Sequence, residues 1–166
     1  KLHPNQFIIL ISSSNPKKSA LARFVLNEKP IEKIRDDYSK LTMGIFPRNK
    51  EQKFAYDLLF DDSIKFISLI GKAGSGKTLM AIAAGMEQTL SLSQKNNKYS
   101  KIVVSRPVQP LGKDIGFLPG TMHEKMMPWL MPIQDNLETI MGEDKTYLNE
   151  YVERGKIQIE ALTYIR

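Results

Sequence analysis

One short stretch constrains the fold of this chain more than any other: Gly71-Lys72-Ala73-Gly74-Ser75-Gly76-Lys77-Thr78 satisfies G-x-x-x-x-G-K-[ST] at every fixed position. A loop of this kind works only where a buried strand ends and a helix begins. Successive backbone N–H groups then converge on one small volume, and glycines permit the φ angles and close approach that phosphate oxygens require. The flanking sequence supplies that setting. Phe66-Ile67-Ser68-Leu69-Ile70 is an apolar run of strand length, so residues 65–70 are expected to form a buried strand. Residues 78–92, rich in Ala, Met and Leu, are expected to be the helix, with its positive dipole end aimed at the phosphates.

Side-chain roles follow from the same chemistry. Lys77 carries a flexible ammonium that can sit between β- and γ-phosphates, which makes it the candidate catalytic residue. The Thr78 hydroxyl suits a magnesium ion. Residues Gly71 to Thr78 are therefore the candidate site for a nucleoside triphosphate, ATP with Mg2+ foremost. The motif alone goes no further, since kinases, GTPases, motor ATPases and helicases all use it.

Elsewhere the pattern divides the chain into a lead-in, residues 1–40, and a main domain, residues 41–166. In the lead-in Phe7-Ile8-Ile9-Leu10-Ile11 is expected to be a buried strand, and Ser12-Ser13-Ser14-Asn15-Pro16 a turn. Residues 17–40 are basic and mixed in charge, with apolar residues too sparse for a core of their own, so they are expected either to pack on the next segment or to belong to something larger. In the main domain Asn49 is placed to cap a helix whose Phe54, Leu58 and Leu59 share a face. Residues 101–105 are a second strand. Residues 106–120 carry Pro107, Pro110, Pro119, Gly112, Gly116 and Gly120, which exclude regular structure. Met122, Met126, Leu130, Ile133, Leu137 and Ile140 then trace a helical stripe that Pro128 and Pro132 are expected to kink or split. A helix at residues 145–154 with Gly155 just past its end, and a strand at residues 156–163, complete the series. Alternation of strands and helices argues for a parallel α/β sheet with helices on its faces.

Bulk properties narrow the class. The 166 residues suit one compact domain, and no apolar run approaches membrane-spanning length. Without cysteine there is neither a disulfide framework nor a thiolate zinc site, and a cytoplasmic location is expected. A net charge of +6 favours a polyanionic partner, although a solvated excess of lysine accounts for it equally well.

Residues around the loop are more discriminating. Pro47-Arg48-Asn49-Lys50-Glu51-Gln52 precedes it. Ser105-Arg106-Pro107, Leu111-Gly112-Lys113-Asp114-Ile115-Gly116-Phe117-Leu118-Pro119-Gly120 and Glu124-Lys125-Met126-Met127-Pro128-Trp129 follow it. From residue 44 to residue 166 this combination resembles the PhoH-like family of ATPases, relatives of superfamily 1 RNA and DNA helicases. The resemblance implies a three-layer, RecA-like P-loop NTPase fold, incomplete here at its C-terminal end. It implies ATP hydrolysis coupled to binding or unwinding of single-stranded RNA, and assembly as a homo-oligomeric, hexameric ring.

Carried over residue by residue, Gln52 matches the glutamine that reads adenine, and its amide offers the donor and acceptor that the N6/N7 edge needs. Arg106 either touches a phosphate of nucleotide or nucleic acid or pairs with Asp114, and Lys113 is a candidate for the nucleic-acid backbone. Trp129, Met126 and Met127 form either a base-stacking surface or, as the spacing favours, core. The family's acidic pair, which supports magnesium and orients water, is expected beyond Arg166. Within the lead-in, Leu2 to Phe24 resemble the linker of family members with an N-terminal PIN-type ribonuclease domain, but residues 1–40 lack the acidic cluster of such a nuclease. Two other readings stand beside this one. One is a nucleotide or small-molecule kinase; the other is a nucleotide- or nucleic-acid-binding module without catalysis.

Overall fold

The structure, a computed structural model, describes residues 1–26, 28–35, 37–38, 43–91, 97–106, 122–142 and 145–161, with the side chains of 106, 122–130, 145, 146 and 161 excepted. In chain order the elements are β1 (Phe7–Ile11), β2 (Ser19–Phe24), β3 (Ile31–Lys33), α1 (Lys50–Leu59), α2 (Lys77–Leu90), β4 (Ile102–Arg106), α3 (Met122–Met141), α4 (Lys145–Glu153) and β5 (Ile157–Ala161). They build two sheets. β1, β2 and β3 are antiparallel, with Phe7 opposite Arg23 and Ala22 opposite Lys33. β4 and β5 are parallel, with Ile102 opposite Ile157 and Val104 opposite Ile159.

The lead-in is more structured than its composition suggests. β1 forms where expected, but only Phe7 and Ile8 are half-buried, and Ile9, Leu10 and Ile11 face solvent. A small sheet covers one side only, and here that side is α1. Phe7 stacks on Phe54 with ring centroids 4.3 Å apart and planes 11° from parallel. Arg23 of β2 reaches α1 and its end, lying 3.0 Å from Asp57 and 2.5 Å from Asp61. Among the described residues of 17–38, Arg23 and Tyr38 make contact with the next segment, Arg23 through an ion cluster that sparse apolar content did not announce.

α1 starts as its sequence dictates. The Asn49 side chain accepts from the Gln52 N–H at 2.8 Å, leaving one fewer orphan donor in the first turn. Its buried residue is Tyr56, which lies off the expected Phe54–Leu58 face and packs with Tyr38, Met80 and Ala84. The Tyr56 hydroxyl donates to the Ile45 carbonyl at 2.8 Å, tying the segment before α1 to the helix. Burial pushes that hydroxyl's pKa up, so it remains a donor.

The main core lies between α2 and α3. Ile82, Ala83 and Met86 of α2 meet Ile133, Leu137 and Ile140 of α3, with Leu148 of α4 and Ile157 of β5 closing the cluster. The expected α3 stripe is therefore a core face over its C-terminal half, where each fully buried Leu or Ile contributes roughly 1.5–3 kcal/mol. α3 runs as one helix through Pro128 and Pro132, so the prolines do not split it. α4 ends as Gly155 predicts: with φ at 67°, its N–H bonds the Val152 carbonyl and the Lys156 N–H bonds the Tyr151 carbonyl at 2.9 Å. That left-handed turn leads directly into β5.

Residues 65–70 depart from expectation. They are not a strand, and among the described residues nothing pairs with them. Phe66 and Ile70 are 86% and 94% exposed, while Ile67 and Leu69 are half-buried. Burial still alternates with the period of a strand, but a strand also needs a neighbour for its backbone ladder. The parallel sheet accordingly comprises β4 and β5 among the described residues, rather than a three-layer core built around the segment before the loop. No helix among the described residues is long and apolar enough to cross a membrane.

Candidate functional site

Gly71 to Thr78 form a turn that opens α2. The Ser75 N–H bonds the Lys72 carbonyl at 3.3 Å, and Gly74 and Gly76 take φ values of 75° and 83°, a region closed to most side chains. Gly76 is the N-cap of α2 and supplies no side chain to cap it. The first bond of the helical ladder at this end runs from the Met80 N–H to the Gly76 carbonyl at 2.9 Å. The N–H groups of Lys77, Thr78 and Leu79 therefore have no intrahelical acceptor and no capping side chain to take its place. Orphan donors at a positive helix end fit a polyphosphate.

Lys77 points back over the loop. Its Nζ donates to the Gly71 carbonyl at 2.9 Å, the Lys72 carbonyl at 2.7 Å and Ser75 Oγ at 3.2 Å. The ammonium is thus held at the loop's mouth by acceptors that a phosphate oxygen can replace. Thr78, expected as a magnesium ligand, is the second residue of α2.

Gln52 comes from α1, far along the chain, and meets the loop. Its Nε2 donates to the Ser75 carbonyl at 3.2 Å, and its Oε1 accepts from the Arg48 N–H at 2.6 Å. The expected base reader is therefore also a brace between the segment before α1 and the loop. A Cβ at Gly76 would come within 3.3 Å of that same Nε2, so the loop glycine and the glutamine fit each other.

Among the described residues two cavities open on the loop, and Gln52 and Ser75 line both. One, of about 460 Å³, is lined by Phe7, Phe54, Leu69, Gly71, Lys72 and Lys77 among others. The other, of about 370 Å³, is lined by Ile45, Phe46, Arg48, Gly76, Leu79 and Thr139 among others.

The remaining candidates are placed less fully. Arg106 ends β4 opposite Ala161, and its side chain lies outside the described set. Lys113 and Asp114 lie outside the described residues, as do the side chains of Met126, Met127 and Trp129. Sequence reasoning missed the aromatic residues Phe7 and Phe46 at the cavities. It also missed the Arg23–Asp57–Asp61 cluster, in which Asp57 lies in the last turn of α1 and Asp61 just past the Phe60 cap.

In that cluster the Asp61 carboxyl is pushed up by burial, but hydrogen bonds from Ser63 and Arg23 outweigh this and hold it at about 2. Asp57 moves the other way: burial raises it more than Arg23 lowers it. Its 3.0 Å contact with Arg23 Nε is not aligned as a hydrogen bond, so both atoms are buried without one.

Comparison with known proteins covers nearly the whole chain. The model of the family described as PhoH-like protein matches residues 44–166. Protein PhoH2 of Bacillus subtilis is 42% identical over 166 residues, which is 99% of this chain and 36% of that protein. Protein PhoH2 of Mycolicibacterium smegmatis is 38% identical over 139 residues, 83% of this chain and 30% of that protein. A PhoH-like protein of Bacillus subtilis is 39% identical over 97 residues, 58% of this chain and 28% of that protein. The chain thus spans about a third of the length of the curated relatives it matches. No solved structure matches.

Proposed function

Because the chain belongs to the PhoH-like protein family, a family of P-loop ATPases, we propose that it binds ATP with Mg2+ through residues 71–78 and that the whole protein couples ATP hydrolysis to single-stranded RNA. The observation that carries this reading is the Lys77 ammonium, held over a loop whose helix begins without a capping side chain. Such an arrangement offers converging N–H groups, a helix dipole and one mobile positive charge to a single chain of phosphates.

Gln52, which reaches the loop from α1, is the residue that would read the base edge, and Thr78 is the residue that would hold the metal. A magnesium ion held there would neutralise charge on the phosphates. This chain's own residues bind and orient the phosphates. RNA, a cytoplasmic location and a ring of several copies enter as family properties, with residues 1–40 as a separate lead-in to the ATPase domain at 41–166. Arg106 and Lys113 are the first residues to test for contact with the polymer.

The test is phosphate release from Mg·ATP by the natural full-length protein, with and without single-stranded RNA. RNA is expected to stimulate turnover. Turnover indifferent to both RNA and DNA would remove the helicase-like part of the proposal, and absence of ATP binding would remove all of it.

A further inference from the structure

The two cavities flanking the loop are not equivalent, and Lys77 tells them apart. A P-loop lysine reaches the β- and γ-phosphates, while the α-phosphate and nucleoside lie at the other end of the cradle. Lys77 Nζ rests on the carbonyls of Gly71 and Lys72, and both of these residues line the larger cavity and neither lines the smaller. The terminal phosphate therefore faces the larger cavity. The smaller one, bounded by Gly76 and Leu79 at the start of α2, lies at the nucleoside end.

That cavity contains an aromatic ring which the fold leaves open. Phe46 is 55% exposed, yet the backbone on both sides of it is pinned. The Ile45 carbonyl accepts the buried Tyr56 hydroxyl at 2.8 Å, and the Arg48 N–H donates to Gln52 at 2.6 Å. Just upstream, Met43 and Gly44 take consecutive positive φ values of 47° and 81°. A left-handed methionine is costly and is kept only where the surroundings enforce it. These constraints hold an exposed ring beside a phosphate loop.

We propose that the smaller cavity takes the nucleoside and that Phe46 is the surface against which the base rests. The inference depends on the phosphate-loop reading and deepens it by assigning base-dependent affinity to Phe46. Gln52 has both ends of its amide engaged within the fold, so it sets edge preference at most. Every base has a π face, so a ring contact adds affinity without choosing between purines.

Phe46→Ala and Phe46→Tyr are compared with wild type for binding of Mg·ATP, Mg·GTP and Mg·tripolyphosphate, the last a ligand with phosphates and no base. Phe46→Ala is expected to weaken ATP and GTP by the same factor, about ten-fold, and to leave tripolyphosphate unchanged. Phe46→Tyr is expected to bind all three as wild type does, which guards against a folding defect. Unchanged ATP affinity in Phe46→Ala, or an equal loss for tripolyphosphate, would overturn the assignment while leaving the loop reading intact. Failure of wild type to bind either ATP or tripolyphosphate would overturn both.

Discussion

Lys77→Ala is expected to weaken Mg·ATP binding by two to three orders of magnitude with little change in stability. The lysine ammonium makes three contacts, all at an exposed site: the carbonyls of Gly71 and Lys72 and the hydroxyl of Ser75. In the free protein these compete with water and together are worth about 1 kcal/mol or less, as exposed contacts generally are. Against a polyphosphate the same ammonium makes charge-assisted bonds of about 1.5–3 kcal/mol each, and two of them near the lower end of that range, about 3–4 kcal/mol together, account for a hundred-fold to thousand-fold change. Binding therefore collapses while the fold persists. Lys77→Arg is not expected to rescue it, because a planar fork does not fit a space shaped for a point charge. Calorimetric titration with Mg·ATP, paired with thermal melting, reads both quantities. Equal affinity in wild type and Lys77→Ala would remove Lys77 from the site.

Arg23→Ala is expected to cost about 3 kcal/mol of stability at neutral pH, the lower end of what breaking a buried ion pair costs. Arg23 is 5% exposed, and the side chains of Asp57 and Asp61 are 16% and 23% exposed. Removing the guanidinium leaves two half-buried carboxylates facing each other and releases β2 from α1. The low end is expected because Asp61 keeps its Ser63 hydrogen bonds.

Acid should shrink the difference. Asp61 is held at about 2, below its ordinary 3.8, so the stability it lends is full above 3.8 and is lost as pH falls through 2. Asp57 is raised, so its ionised form costs stability at neutral pH and protonation relieves that cost. Denaturant melts of wild type and Arg23→Ala at pH 7 and between pH 4 and 2 should therefore converge in acid. A variant as stable as wild type at pH 7 would show that the cluster does not anchor the sheet.

How much of this was legible beforehand depends on whether the cause was local. The Asn49 cap, the Gly155 turn, the start of α2 and the Ile133–Leu137–Ile140 face are set by residues a few positions apart, and each formed where the pattern placed it. The segment at 65–70 shows the limit of pattern alone. Its apolar content and alternating burial are those of a strand, but pairing depends on a neighbour that local sequence does not specify. The docking of β2 on α1 was hidden for a similar reason. Arg23 and Asp61 are distant in sequence, and nothing in the lead-in's composition marks one arginine as buried. In the site, the loop was legible because its spacing marks it, and Gln52 was singled out by the family resemblance alone. The ring of Phe46 was not, since its importance comes from a cavity that only the folded chain creates.

The central claim concerns backbone amides, and the most direct measurement observes them. In a ¹⁵N-labelled sample titrated with Mg·ATP, the resonances of Gly74, Ser75, Gly76, Lys77 and Thr78 are predicted to move furthest and to saturate together. Saturable ATP binding that leaves those five amides unmoved would contradict the account.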